Sequence, residues 1–302
     1  MAKIENVEDF GKHFAPDLIR CDLIKSLVAI QMLTNPFKEK VHIIMIGSIA
    51  SAKTDLLLEV SKCHPKAIYV SKKTTQAGLQ GVATRHGVEG GVFEGVDGGV
   101  LCVDELDKIE KQVREMLLEP LQTGIATTTA YGYKQTIKAR INLLAAANPK
   151  GYTWRGGVSA AFIPFHPALM SRIHFVVPIQ SLNWDDYEKV LAESYISREK
   201  RTDDEEGKRL AMLETFIEGR FEEIPTVSMP DNLIRRVTKN TGQLLKAYNN
   251  PKTPVTPRTI EGIRDGSKGK ARLEGRSEVN DDDVDYLLST IDKLFKWWHL
   301  SL

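Results

Sequence analysis

Eight residues, Gly47-Ser48-Ile49-Ala50-Ser51-Ala52-Lys53-Thr54, form the first stretch whose types and spacing could handle a phosphate. A glycine, a lysine six positions later and a hydroxyl residue directly after it follow the pattern of a P-loop. In such a loop, backbone N–H groups curl round phosphate oxygens at a helix N-terminus. Lys53 would neutralise the β- and γ-phosphates of a nucleotide, and the Thr54 hydroxyl would ligate Mg²⁺. Position 52 is alanine where the general motif has glycine. Alanine tolerates positive φ poorly, which predicts a stiffer or slightly altered loop. The bland alternative is an ordinary strand–turn–helix corner with a solvated lysine. The second candidate is the acid pair Asp104-Glu105, which follows the apolar run Val100-Leu101-Cys102-Val103. Asp104 could hold Mg²⁺ through water, and Glu105 could polarise an attacking water. Its bland alternative is an acidic helix N-cap. The third is Asn148, at the end of the run 141–147 (INLLAAA), whose amide could orient the lytic water or contact the γ-phosphate.

These residues work together only if strands deliver them to one edge. The β-branched run 41–46 (VHIIMI) reads as a buried strand ending at Gly47, and residues 53–63 read as the helix that follows. Residues 67–70 suit a second strand, 100–103 a third and 141–147 a fourth. In open α/β sheets, ligands bind outside the carboxyl ends of the strands, where all three candidates fall. Apolar spacing predicts an amphipathic helix over 17–33 and another helix over 107–122. The glycine-rich stretch 78–99 reads as loops or a hairpin rather than core. Residues 127–140 read as a β-hairpin around Gly132. Alternating strands and helices up to about Pro178 indicate a parallel sheet. Helical segments dominate after Trp184, and the last begins near 281 with Asn280 or Asp281 as N-cap.

Composition bounds the rest. With 302 residues, 42% hydrophobic and 27% charged, the chain suits a soluble globular protein of one large domain or two ordinary ones. A formal net charge of +1 leaves nucleic-acid contact to local patches, because no global basic field exists. Cys21, Cys63 and Cys102 have neither metal-ligand spacing nor an even count, so neither a zinc site nor a disulfide framework is expected. No signal peptide and no ~20-residue apolar run is present, which predicts no membrane partner and an intracellular setting.

The motifs together resemble the AAA+ class and, within it, the MCM family of replicative helicases, over nearly the whole chain. MCM proteins carry alanine before the P-loop lysine, as Ala52 does. Their loop usually begins Gly-Asp-Pro-Gly, whereas this chain has Gly47-Ser48-Ile49-Ala50. The run from Gly98 to Lys108 (GGVLCVDELDK) resembles the family's Walker B signature. The run from Leu144 to Lys150 (LAAANPK) is similar to its sensor 1 strand, with Asn148 as the sensor. Leu169-Met170-Ser171-Arg172 resembles the Leu-Ser-Arg arginine-finger motif, though Ile173-His174 replaces the Phe-Asp that follows it in the family. Thr256-Pro257-Arg258 resembles the sensor 2 arginine. For both arginines the alternative is a surface residue.

The resemblance implies an α/β fold, an AAA+ P-loop ATPase core with a central parallel sheet over 1–178, then a smaller α-helical lid with sensor 2 over 179–302. Within the core, residues 78–99 resemble a short helix-2 insert, and the hairpin at 127–137 resembles the pre-sensor-1 hairpin. The family's hairpin-tip lysine falls at Ala130, and Lys134 with Tyr131 and Tyr133 is the candidate substitute for DNA binding. A solvated hairpin is the alternative. The family's N-terminal OB-fold and zinc module and its C-terminal winged helix have no counterpart in the sequence. ATP and Mg²⁺ are implied as ligands, the ion held by Thr54 and Asp104. Arg172 and Arg258 are implied to act on a neighbouring subunit's nucleotide. Implied partners are other copies in a hexameric ring or a hetero-oligomer, and single- or double-stranded DNA. The implied setting is nuclear in a eukaryote and cytoplasmic in a prokaryote. Two alternatives stay open: a degenerate paralogue that binds nucleotide as a non-catalytic or regulatory ring subunit, and another AAA+ remodelling or chelatase-like ATPase.

Overall fold

Strands that are apolar on both faces need cover on both faces, which a parallel sheet between helices supplies. In a computed structural model of the chain, the structure describes residues 4–48, 52–84, 87–89, 91–130, 133–151, 154, 159, 163–179, 184–248, 254 and 256–300. Helices α1 (Val7–His13) and α2 (Asp22–Met32) lead to β1 (Ile43–Gly47), α3 (Lys53–Cys63) and β2 (Ala67–Val70). Short elements follow: α4 (Gln76–Gln80), β3 (Val82–Thr84), β4 (Gly87–Glu89) and α5 (Val92–Gly95). Then come β5 (Val100–Val103), a 3₁₀ turn (Leu106–Lys108), α6 (Lys111–Glu115) and α7 (Leu118–Thr123). The hairpin β6 (Ile125–Ala130) and β7 (Tyr133–Lys138) precedes β8 (Asn142–Ala147), α8 (Pro167–Met170) and β9 (Phe175–Ile179). Among the described residues, α9 (Trp184–Glu199), α10 (Asp203–Glu223), α11 (Asp231–Ala247), α12 (Arg258–Leu273) and α13 (Asp281–Leu300) follow.

The central sheet has five strands in the order β2-β5-β8-β1-β9, every pair parallel. The period-two alternation of side chains divides its apolar residues between two cores. Ile43, Met45, Cys102, Leu144, Phe175 and Val177 face α1, α2, α3 and helices after β9 that include α10, α12 and α13. Ile44, Ile46, Leu101, Val103, Leu143 and Val176 face the other way, toward Phe93, Val113, Leu121 and Trp298. Below the sheet, Asn142 and Gln31 tie α2 to the amino ends of β1 and β8: Asn142 accepts from the Val41 N–H at 2.9 Å, and Gln31 donates to the Val41 and Leu143 carbonyls. Among the described residues no helix is long and apolar enough to cross a membrane.

Several local expectations change. The helix expected over 17–33 begins only at Asp22, because Arg20 sits at φ 58, a left-handed conformation that interrupts it. The helix expected over 107–122 is broken into the 3₁₀ turn, α6 and α7. Pro120 explains the second break, since an uninterrupted helix would drive its ring into the Met116 carbonyl. At the N-terminus of α7, within the first turn, proline is tolerated. Asn280 is the cap of α13: its side chain accepts from the Asp283 N–H at 3.0 Å, and Asp283 accepts from the Asn280 N–H at 3.0 Å.

Candidate nucleotide site

Three adjacent strands bring the candidate residues to one edge. Gly47 ends β1, Asp104 follows β5 and Asn148 follows β8, and β8 lies between the other two. The register Ile46↔Ala147 and Val103↔Ala145 keeps these three strand ends within about two residues of one another. The loop from β1 enters α3 through Ala52, at φ 58 and ψ 4. Alanine thus holds the left-handed turn that glycine would occupy in the general motif, a conformation that costs roughly 1–2 kcal/mol for a residue with a Cβ. Ile49, Ala50 and Ser51 lie outside the described residues.

Lys53 opens α3 and is buried, at 8% exposure. Its ammonium donates to the Gly47 carbonyl at 2.8 Å and the Ser48 carbonyl at 2.7 Å, folded back over its own loop. Burial lowers its pKa to about 8, against the opposing pull of Asp104 and Asp107. Thr54 donates its hydroxyl to Asp104 Oδ2 at 2.8 Å, which joins the phosphate-loop helix directly to β5. Tyr69, on β2, donates to the same oxygen at 2.9 Å. A hydroxyl and a carboxylate side by side are hard oxygen donors, the kind Mg²⁺ takes in company with nucleotide phosphates. Thr54 and Asp104 therefore fit the implied ion.

Glu105 has a left-handed backbone, at φ 49, and its N–H donates to Asp104 Oδ1 at 2.8 Å. Its carboxylate is paired with Lys108 and, at 2.9 Å, with Lys72. Those two ammonium groups, Lys108 first, hold its pKa below the ordinary carboxylate value. Asn148 is anchored by Asp107, which accepts from its backbone N–H at 3.0 Å and from its amide at 3.5 Å. The strand-end acid and the third strand's amide are thus linked through the turn after β5.

Arg172 and Arg258 lie elsewhere. Arg172 precedes β9 and so sits at the amino edge of the sheet, a strand length of roughly 16 Å from the carboxyl edge. Its guanidinium donates to the Leu118 carbonyl at 2.9 Å and to Gln122 Oε1 at 2.6 Å. Arg258 opens α12, donates to the Ser171 carbonyl at 3.3 Å and pairs with Glu261. The two arginines share a ledge away from Lys53, Thr54 and Asp104. His174, two residues after Arg172, anchors that ledge: its Nδ1 accepts from the His42 N–H at 2.8 Å, and its carbonyl accepts from the Thr259 hydroxyl at 3.3 Å. Burial keeps both rings neutral, with the His42 pKa lowered to about 3 and His174 well below its usual value.

Of the residues expected at a DNA-facing hairpin, Tyr131 lies outside the described residues. The backbones of Tyr133 and Lys134 open β7, paired with Ala130 and Thr129. The expected insert contains the β3–β4 hairpin between α4 and α5, and Gln80 at the end of α4 donates to the Thr127 carbonyl at 3.3 Å, linking it to the β6–β7 hairpin.

The motif reading missed four partners: Tyr69, Lys72, Lys108 and Asp107. A signal existed for Tyr69. It is the polar-tipped residue of an otherwise aliphatic strand, and parallel pairing sets it level with Cys102, two residues before Asp104 and on the same face. Lys72 carried no such signal, because its meeting with Glu105 depends on the turn after β2.

The family model for the MCM P-loop domain matches residues 2–199. The chain is 28% identical over 207 residues to DNA replication licensing factor mcm5-A of Xenopus laevis, covering 63% of this chain and 28% of that protein. It is 26% identical over 273 residues to DNA replication licensing factor MCM5 of Arabidopsis thaliana, covering 83% of this chain and 37% of that protein. With DNA replication licensing factor MCM4 of the same plant it shares 25% identity over 304 aligned positions, covering 92% of this chain and 36% of that protein. The chain spans about a third of the length of these relatives.

Proposed function

The chain belongs to the MCM family, and on that premise we propose that it is the ATP-hydrolysing motor of a DNA helicase acting in DNA replication; the names of its relatives support the replication role. The observation that carries this reading is the 2.8 Å bond from the Thr54 hydroxyl to Asp104, which joins the phosphate loop to the acidic strand end. In this reading the phosphates of ATP lie against residues 47–54, with Lys53 turning from its loop carbonyls to meet them. Thr54 and Asp104 would hold Mg²⁺, which would supply charge neutralisation at the β- and γ-phosphates. Glu105 polarises the attacking water, and Asn148 orients it. Arg172 and Arg258 serve the site of the next subunit, a division supported by their ledge at the opposite edge of the sheet. A ring of six, of this chain alone or with relatives, completes each site. The β6–β7 hairpin, with Tyr131, Tyr133 and Lys134, contacts single- or double-stranded DNA. Residues 1–178 act as the ATPase core and 179–302 as the lid. The setting is nuclear in a eukaryote and cytoplasmic in a prokaryote.

The test is steady-state ATPase of size-fractionated protein with and without single-stranded DNA. Hydrolysis confined to assembled fractions, stimulated by DNA and weakened by salt, is expected. Salt-insensitive hydrolysis by monomer, indifferent to DNA, would instead favour another AAA+ remodelling enzyme. A second reading draws on the double ion pair of Glu105 with Lys72 and Lys108: a subunit that binds nucleotide and leaves hydrolysis to its neighbours. Nucleotide binding with no ATPase in any assembled fraction would select it.

A further inference from the structure

Asp104 is buried, at 6% exposure, and its carboxylate is held from three directions. Oδ2 accepts from the Thr54 hydroxyl at 2.8 Å and from the Tyr69 phenol at 2.9 Å, while Oδ1 accepts from the Glu105 N–H at 2.8 Å. An ionised carboxylate offers about four lone-pair directions. Three are filled here by Thr54, Tyr69 and the Glu105 N–H, one donor from each of three separate chain segments.

The position of Tyr69 follows from the sheet. β2 pairs with β5 in parallel, with Tyr69 level with Cys102, so the ring of Tyr69 and the carboxylate of Asp104 project to the face that α3 covers. The Asp104 N–H donates to the Val70 carbonyl at 2.8 Å, which locks the two strand ends together just beyond the ladder. From β2, the phenol reaches the same oxygen that Thr54 reaches from α3.

We propose that Tyr69 is a positioning residue for the divalent cation: its hydroxyl fixes the Asp104 carboxylate, and with it the Thr54 hydroxyl, in the orientation that receives the ion accompanying the nucleotide. This rests on the phosphate-site reading above. Without the phenol, Asp104 turns about its terminal torsion with only the Thr54 hydroxyl and the Glu105 N–H to hold it. The ion then has to organise its own ligands as it binds. Groups that orient metal ligands in this way are worth about ten- to a hundredfold in metal affinity.

The experiment titrates a fluorescent ATP analogue against the full chain, once in EDTA and once across a Mg²⁺ series, for wild type, Tyr69→Phe and Thr54→Ala. The expected result for Tyr69→Phe is about a tenfold rise in the Mg²⁺ needed for half-maximal binding. Its affinity in EDTA and its melting temperature should match wild type. An unchanged Mg²⁺ requirement in Tyr69→Phe, alongside a raised one in Thr54→Ala, would overturn the role of Tyr69 and leave the site reading standing. An equal loss of affinity with and without Mg²⁺, together with a lower melting temperature, would make Tyr69 a packing residue only and also overturn it. No shift in Thr54→Ala, or no binding by wild type, would remove the metal platform and the proposal together.

Discussion

Lys53 carries the first prediction at the scale of single residues. Burial lowers its pKa to about 8, from 10.5 in the unfolded chain. In the empty protein, the cost of burying the ammonium is therefore present below pH 8 and is relieved between 8 and 10.5. A phosphate acts in the opposite sense, because it favours the charged form and raises the pKa of the complex. Nucleotide affinity should be flat up to about pH 7.5. Above pH 8 it should weaken by up to about tenfold per unit until the pKa of the complex is passed. A binding isotherm measured from pH 6.5 to 9.5 checks this, and a Lys53→Arg variant, charged throughout, should show a flat profile. Glu105 carries the second. Lys72 and Lys108 hold its carboxylate below its usual pKa, so it stays ionised at neutral pH but is engaged. Partly exposed ion pairs are worth about 0.2–1 kcal/mol. Lys72→Ala should therefore raise basal ATPase by no more than about fivefold, and a fall in rate would mean that Lys72 supports the reaction instead.

At the scale of elements, the entry into α3 is where the chain departs from a general P-loop, at the residue before the lysine. Ala52 occupies the left-handed region at φ 58. Ala52→Gly should relieve about 1–2 kcal/mol of backbone strain, less about 0.4–1 kcal/mol of added unfolded-state freedom. A net stabilisation of about 0.5–1 kcal/mol in urea melts is expected. A destabilised variant would show that the alanine methyl contributes packing that outweighs the strain. The same elements mark how far the sequence could be read. Residues 67–70 and 100–103 are legible to the residue, because short apolar runs flanked by glycine or polar residues form strands between two helical layers, and 53–63 is legible as the helix that follows the loop. Their order points to one edge bearing Gly47, Asp104 and Asn148. What pattern could not give is contact across elements. Tyr69 with Asp104, Lys72 with Glu105 and Asp107 with Asn148 depend on strand order and turn geometry, which appear only once β2, β5 and β8 are laid side by side. The break at Pro120 was visible as a residue, but the apolar spacing around it suggested a single helix.

At the scale of the whole molecule, α10, α11, α12 and α13 share one apolar core with α1, α2 and one face of the sheet. The buried pair Arg272–Glu39 lies within that junction, at 0% and 2% exposure. Arg272 also donates to the Leu33 and Ile224 carbonyls, and both bonds tie α12 to another segment. Removing one partner leaves a buried charge uncompensated, and Arg272→Ala should cost about 3–5 kcal/mol. Chemical denaturation checks this, and a loss under 1 kcal/mol would mean that water reaches Glu39. The same scale decides the central claim, because Lys53, Thr54 and Asp104 gather at one edge of the sheet while Arg172 and Arg258 share a ledge at the other. Under the proposed function, neither group is complete without a neighbouring copy. The most direct measurement is steady-state ATPase of Glu105→Gln, of Arg172→Ala and of the two mixed in equal amounts. Each variant alone should fall at least about a thousandfold below wild type, as loss of an arginine finger does in related phosphoryl transfer. The mixture should recover a measurable fraction of wild-type activity, from interfaces that pair an intact Glu105 with an intact Arg172. Wild-type rates in both single variants, or no recovery in rings shown to contain both, would contradict a site shared between subunits.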